Sequence, residues 1–294
     1  MKNQENALKE VKTLLKKHSI SYLRKAFGQK FLIDFSILER QIILADITGK
    51  DKVLEIGAGL GTLTRKLAEK AGKVYTFESD KKLAHALEKE VSVFPNVEVI
   101  PEDAVKSPFP PFNKCVSNLP YNISSPIMFK LLKHDFEHAV LMLQKEFAER
   151  LVSKPGSKDY SRLTVLASLK TKIEIAQIVP KTAFYPVPKV DSVLAVINPI
   201  RSPFEKDLEE RLEDLLRVLF SRKSRKVRKV LRSFLNKKIQ DKAFTKKIVS
   251  KLPYAEERIK FLQPIQFINI TKTLIRLLEE VGIGWEDVFS GTKT

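Results

Sequence analysis

Between Val53 and Val140 short apolar runs alternate with amphipathic stretches, and this alternation constrains the fold more than any other feature of the chain. VLEIG, VYTFE, VEVI, KCVSNLPY and AVLML read as strands, whereas LTRKLAEKAG, LAHALEKEV and PIMFKLLK space their apolar residues as helices do. Strands that alternate with helices predict an α/β fold with a doubly wound, mostly parallel, Rossmann-like sheet. Ligands in such sheets bind beyond the carboxyl ends of the strands. The glycine cluster from Gly57, then Glu78, Asp103 and Asn118 fall at four successive strand ends, so the pattern predicts that they converge on one cleft.

Downstream, Tyr160–Leu169 reads as a helix, and Lys172–Val179 and Val190–Ile197 as strands that form an antiparallel edge of the sheet. Leu208, Leu212, Leu215, Leu216 and Leu219 recur on one helical face, and residues 205–281 keep that periodicity. Three segments are therefore expected: a basic N-terminal helix or arm over 1–21, the α/β domain over 22–200, and a small C-terminal α-helical domain over 201–294.

The net charge of +18 is uneven. Residues 31–200 hold 23 Lys/Arg against 20 Asp/Glu, residues 1–30 hold 8 against 2, and residues 201–294 hold 22 against 13. Basic flanks around a near-neutral middle favour a polyanionic partner, most simply nucleic acid, while an anionic membrane or plain solubility would also tolerate them. Within the last segment, residues 221–247 carry 12 Lys/Arg and one Asp, and like charges this dense need a reason beyond solvation. A single cysteine, Cys115, excludes a disulfide framework within the chain, and no apolar run approaches the ~18 residues of a membrane span. The N-terminus lacks the apolar core of a secretory signal, so the cytoplasm is the expected location and a monomer the default. His134 and His138 are four apart, but no Cys or third His stands near them, so no metal site is expected.

Glu55-Ile56-Gly57-Ala58-Gly59-Leu60-Gly61 joins the first strand to a helix that starts near Thr62. Its glycines let the backbone approach a ligand, a feature shared with dinucleotide-binding proteins. Glu78 stands 21 residues after Gly57, where a carboxylate takes both hydroxyls of a ribose, and this too fits NAD. Asp103, an acceptor suited to an adenine amino group, and Asn118-Leu119-Pro120-Tyr121 separate the readings and favour S-adenosylmethionine. Each residue has a plain reading as well: Glu78 as a helix-terminal carboxylate, Asp103 as a turn cap, Asn118 as a loop partner, Tyr121 and Phe184 as core.

Asn-Leu-Pro-Tyr speaks to the acceptor. The lone pair of an exocyclic base amine is delocalised into the ring, and acceptors at its two hydrogens draw it out of the plane. The Asn118 side-chain oxygen and the Leu119 carbonyl supply two acceptors, Pro120 stiffens the backbone, and Tyr121 offers a face to the base. Tyr121 and Phe184 are the candidates for clamping an unstacked base, and methyl transfer to such an amine requires neither a metal nor a covalent intermediate.

On these residues the chain resembles the rRNA adenine N6,N6-dimethyltransferases, the KsgA-like enzymes, and the archaeal members more than the bacterial ones. The resemblance runs from Tyr22 to Thr273 through Gly28-Gln29-Lys30-Phe31-Leu32, Glu55–Thr64, Phe77-Glu78-Ser79-Asp80, Glu102-Asp103-Ala104, Asn118–Tyr121, Phe184–Ser192 and Phe220–Lys226. It implies that Gln29, Lys30 and Leu32 lie beside S-adenosylmethionine, that Gly57 and Gly59 flank its methionine part, that Glu78 holds the ribose and Asp103 the adenine, and that Asn118 marks the site of transfer. Lys30 departs from the family, whose members often carry Asn or His there. The resemblance further implies dimethylation of two adjacent adenosines in the 3′-terminal hairpin loop of small-subunit rRNA, within an assembling pre-ribosomal particle. Arg222, Lys223, Arg225, Lys226 and Arg228 are the candidates for gripping its phosphates. The rival readings are a large-subunit rRNA adenine methyltransferase of the macrolide-resistance type, whose members usually have Phe where Leu119 stands, a DNA adenine methyltransferase, a non-catalytic ribosome-assembly or transcription factor with the same fold, and, most remotely, an NAD-dependent oxidoreductase.

Overall fold

The structure is a computed structural model and describes residues 2–20, 29–200, 205–239 and 241–290. Tyr22 and Gly28, where the family resemblance begins, lie outside the described residues. The chain divides into two compact units, Met1–Glu149 with Thr171–Pro199, and Arg150–Lys170 with Ile200–Thr294.

The first unit begins with helix α1 (Lys2–Lys17), the two-residue strand β1 (Phe31–Leu32) and α2 (Phe35–Ala45). It continues through β2 (Lys52–Ile56), α3 (Thr62–Ala68), β3 (Lys73–Phe77), α4 (Lys81–Val91), β4 (Val97–Ile100), β5 (Lys114–Asn118), α5 (Ser124–Leu131) and β6 (His138–Gln144). Helix α6 (Lys145–Leu151) and, in the second unit, α7 (Arg162–Lys170) come next in the chain, and the first unit resumes with β7 (Thr171–Val179), β8 (Phe184–Tyr185) and β9 (Ser192–Pro199). The seven-stranded sheet has the order β4-β3-β2-β5-β6-β9-β7. Strands β2 to β6 are mutually parallel, β9 runs antiparallel to β6, and β7 antiparallel to β9.

Burial explains the order of the last two strands. Val193, Leu194, Ala195 and Ile197 of β9 are fully buried, so β9 sits inside the sheet, while β7 exposes alternate residues and forms the edge. The chain reverses its course across the sheet after β4, so β2 leads on to β3 on one side and β5 to β6 on the other, and between β2 and β5 the strand ends open into a crevice. Asp34 and Asp80 set the starts of α2 and α4 by accepting from the amides of Ser36, and of Lys82 and Leu83. Helix α1 buries Ala7, Val11 and Leu15 against Phe31, Ile33, Leu60 and Leu83. Polar contacts flank this seam: Gln4 donates to Asp34 at 2.8 Å, and Arg65 pairs with Glu10 at 2.9 Å. The N-terminal helix is therefore docked.

The second unit adds α8 (Lys206–Phe220), α9 (Val227–Lys238), α10 (Lys242–Ser250), α11 (Pro264–Glu279) and α12 (Trp285–Phe289) to α7. The expected break near residue 200 falls between Pro199 and Ile200, and residues 150–170 also belong to this unit. Tyr160, expected to begin a helix, precedes α7; its ring is fully buried 5.8 Å from that of Phe220 and its hydroxyl donates to the Leu262 carbonyl at 2.9 Å. Lys170 pairs with Glu209 at 2.6 Å, and the Lys223 ammonium donates to the carbonyls of Lys158 and Tyr160 at 2.7 and 2.9 Å. Apolar periodicity marks a buried helix face without saying which core it joins. Residues 221–226, read in the sequence as part of a helical basic region, form a turn before α9.

The Tyr160 hydroxyl generates a stability prediction. Tyr160→Phe leaves the Leu262 carbonyl without its partner and is expected to lower the unfolding free energy of the full chain by about 1–3 kcal/mol, read by denaturant unfolding.

Candidate active site

Strand β2 runs into a loop of three glycines with positive φ, Gly57 at 82°, Gly59 at 59° and Gly61 at 79°. The amides of Gly57 and Ala58 donate to the Phe77 carbonyl at 2.8 and 3.2 Å, which ties the loop to the end of β3. A Cβ on Gly57 would stand 2.7 Å from Cδ of Pro120, so the loop and the Asn-Leu-Pro-Tyr segment touch backbone to ring.

Glu78, just past β3, is 7% exposed and accepts from the Gly59 amide through Oε2 and from the Asp80 amide through Oε1, each at 2.9 Å. Burial raises its pKa, against the lowering effect of these amides. Each carboxylate oxygen carries two acceptor sites, so one backbone donor apiece leaves Glu78 able to take two hydroxyls.

Behind the loop stands a group that sequence reasoning reaches only as part of a segment. Glu55 is fully buried in β2 and borders the same cleft; its Oε2 accepts from the hydroxyls of Thr64 and Thr76, each at 2.7 Å. Burial pushes its pKa up to about 7. An acid inside the otherwise apolar run VLEI was the available signal.

Asp103 follows β4 and is partly exposed, with Oδ1 accepting from the Val105 amide at 2.9 Å, so it caps its own turn while lining the cleft. Lys130 of α5 holds this turn from beneath. Its ammonium donates to the carbonyls of Ala104, at 2.7 Å, and Ser107, and lies 3.9 Å from the centre of the Phe109 ring. Burial lowers its pKa. Nothing local in the sequence marks Lys130, because its partners are backbone carbonyls 23 and 26 residues away.

Asn118 is the last residue of β5, and its Oδ1 is buried without a hydrogen-bond partner among the described residues. Leu119 is buried. The Pro120 carbonyl accepts from the Ile123 amide at 3.1 Å, which turns the chain into a short 3-10 turn over Tyr121–Ile123. The hydroxyls of Tyr121 and Ser192 lie 2.6 Å apart, and burial raises the phenol pKa. Phe184 on β8 is 3% exposed and belongs to the apolar core, yet it borders the cleft. Gln29 donates to Asp80 at 3.2 Å. Gln29, Lys30, Leu32, Gly57, Gly59, Glu78, Asp103 and Asn118–Tyr121 together with Phe184 border one cavity of about 400 Å³.

The basic candidates belong to the other unit. Arg222 and Arg225 are exposed in the turn before α9, Lys223 is held by backbone carbonyls, and Lys226 and Arg228 each lie 2.9 Å from Glu256. Cys115 is buried in β5, and burial pushes its thiol pKa up to about 12, which makes it an inert core residue. His134 and His138 are engaged by the Lys130 carbonyl, and by Asn198 and the Leu44 carbonyl. Among the described residues no group of three or more His, Cys, Asp or Glu could hold a metal, and no helix is long and apolar enough to cross a membrane.

Residues 20–274 match the family model described as ribosomal RNA adenine dimethylase. The chain belongs to this family. A probable ribosomal RNA small subunit methyltransferase A of Thermococcus gammatolerans is 46% identical over 84% of this chain and 87% of its own length. Its namesake in Methanothermobacter thermautotrophicus is 42% identical over 90% of this chain and 94% of its own. Among solved structures, a dimethyladenosine transferase from Plasmodium falciparum is 35% identical with a TM-score of 0.74, covering 87% of this chain and 99% of that one. The 23S rRNA methyltransferase ErmE is 29% identical with a TM-score of 0.59, covering 83% and 99%. Both likenesses support the α/β methyltransferase fold with C-terminal helices, and membership of the family makes this chain an enzyme.

The buried Glu55 predicts a pH dependence of stability. Its folded pKa of about 7 lies above the ordinary value of 4.5, so the folded state retains a proton that the unfolded state has released. The contribution of Glu55 to stability is full below pH 4.5 and declines as pH rises towards 7, and the raised Glu78 acts in the same direction. Glu55→Gln is expected to flatten this decline and to be more stable than the parent at pH 8 by a few kcal/mol, on the order of 1–3; thermal unfolding of the ligand-free protein from pH 5 to 8 measures it.

Proposed function

We propose that this enzyme dimethylates N6 of two adjacent adenosines in the 3′-terminal hairpin loop of small-subunit rRNA, with S-adenosylmethionine as methyl donor, during ribosome assembly. The single observation that carries the reading is the buried, unpartnered Oδ1 of Asn118, a residue that borders a cleft lined by glycine backbone and a carboxylate. A buried acceptor without a donor is costly, and a donor brought by the substrate relieves the cost. An exocyclic amine is such a donor.

The cleft fits the cofactor chemically. Glu78 has acceptor capacity for a ribose diol, Gly57 and Gly59 expose backbone to the methionine portion, Asp103 offers an acceptor to the adenine amine, and Gln29, Lys30 and Leu32 wall the near side. The bound cofactor supplies an electrophilic methyl group. Lys30, in place of the Asn or His common in the family, is half-buried on that wall, where its backbone can serve whatever its side chain does.

This chain's own residues act on the base. Asn118 Oδ1 and the Leu119 carbonyl accept from the two N6 hydrogens and turn the lone pair into the cleft. Pro120, packed on Gly57, fixes these acceptors relative to the cofactor loop. Tyr121, anchored through Ser192, presents its ring to one face of an unstacked adenine, and Phe184 backs the other. The phenol stays neutral at working pH and serves as a stacking surface; the proton from the amine leaves to solvent. Arg222 and Arg225, exposed with the basic face of α9, grip phosphates of the particle. The reaction runs in the cytoplasm, on a pre-ribosomal particle, with the enzyme as a monomer.

The names of the relatives at 42–46% identity favour the small subunit over the large one. The test is product mapping by mass spectrometry after incubation with labelled S-adenosylmethionine and unmodified small-subunit particles, beside large subunits. Dimethyladenosine in the small-subunit 3′ hairpin is expected, reduced on the order of 100-fold in Asn118→Ala. Label confined to large subunits moves the assignment to the macrolide-resistance type, and absence of label with cofactor bound indicates an assembly factor.

A further inference from the structure

The helical unit contains a second concavity, of about 770 Å³, that methyl transfer does not use. It lies between α9, α10 and the segment Lys251–Glu257. Buried Val249 and Leu252 contribute apolar surface, and Tyr254 is half-buried in its wall. Arg228, Lys229 and Arg232 share one face of α9, and Lys246 approaches from α10. Two carboxylates also border it, Glu256 and Glu257. Glu256 is neutralised by Lys226 and Arg228, each 2.9 Å away, and Lys229 acts on it at longer range, whereas Arg232 and Lys246 have no ion-pair partner among the described residues. Four cations against two carboxylates leave the groove positive.

Tyr254 has φ of 58°, a conformation bulky side chains rarely adopt. The backbone around it is tied to the start of α9: the amides of Val227 and Arg228 donate to the carbonyls of Glu257 and Ala255, each at 2.9 Å, and the Glu257 amide donates to the Tyr254 carbonyl at 3.0 Å. The surroundings therefore hold an aromatic side chain at the groove in a strained backbone conformation, where glycine would serve the turn alone.

We infer that this groove binds one unpaired nucleotide of the RNA, its phosphate among Lys229, Arg232 and Lys246 and its base against Tyr254. Unstacked bases are read by aromatic faces, and a phosphodiester supplies the anion that Arg232 and Lys246 lack. A paired A-form helix keeps its bases inside and offers the groove phosphate alone. The inference rests on the reading of the chain as an RNA-acting enzyme and names a second RNA contact, in the unit that does not hold the methyl-transfer cleft.

The test is fluorescence anisotropy of the full chain with a labelled uridine decamer and with a ten-base-pair RNA duplex, at several salt concentrations and without cofactor. Uridine has no exocyclic amine for the Asn118 cleft. Tyr254→Gly, which suits the positive φ, is expected to weaken single-strand binding roughly tenfold and leave duplex binding unchanged, while Tyr254→Phe binds as the parent does. Arg232→Ala with Lys246→Ala is expected to lower the salt slope on the single strand by about 0.7 for each phosphate that is no longer neutralised. Thermal unfolding checks each variant, and if Tyr254→Gly fails to fold, Tyr254→Leu carries the same expectation. Unchanged single-strand affinity, or equal weakening on strand and duplex, overturns the inference. Methyl transfer is not read, so a failure of the adenine-transfer reading shows in product mapping and not here.

Discussion

The contact between Gly57 and the ring of Pro120 is the constraint on which the site depends. Gly57 closes β2 in a conformation that favours glycine, and any side chain there would enter the space of Pro120 Cδ, 2.7 Å from an ideal Cβ. This close approach brings the ends of β2 and β5 together at the sheet's reversal point. The β2 end presents backbone amides, one of which, Gly59, holds Glu78 at the neighbouring end of β3; the β5 end presents Asn118 and the Leu119 carbonyl. Neither has a use without the other, and the contact sets their separation.

Around that contact, polar groups are sorted by what holds them. Glu55 is satisfied by two threonine hydroxyls, lies deepest and is pushed towards neutrality. Glu78 is satisfied by two backbone amides and faces the cleft with spare acceptor sites. Asn118 is left with an acceptor that nothing in the described protein fills. Stability accounts for Glu55 and in part for Glu78. It does not account for Asn118, whose donor, in the function proposed above, comes with the substrate. Lys130 extends the same arrangement, because it fixes the Asp103 turn through carbonyls.

The convergence of the four strand ends was legible in the sequence because strand and helix periodicities there are local and the polar residues break them abruptly. The order of β7 and β9 was only half legible: the antiparallel edge followed from two late strands, but the interior place of β9 shows only in its unbroken apolar run, Val193 to Ile197. The grouping of residues 150–170 with the later helices was not legible, since the partners of Tyr160 and Lys170 are Leu262 and Glu209, far along the chain. The basic segment likewise divided in ways charge counting cannot show, with Lys223 bound to carbonyls and Arg222 and Arg225 exposed.

Isothermal titration of S-adenosylhomocysteine into Gly57→Ala and its parent, followed by methyl transfer from the same preparations, tests the coupling most directly. If Gly57 and Pro120 set the distance between cofactor loop and acceptor pair, Gly57→Ala folds, loses roughly tenfold or more in ligand affinity, and loses transfer by a larger factor at saturating cofactor. Transfer at the parental rate once the cofactor site is saturated would show that the two strand ends are positioned independently, and would contradict the account.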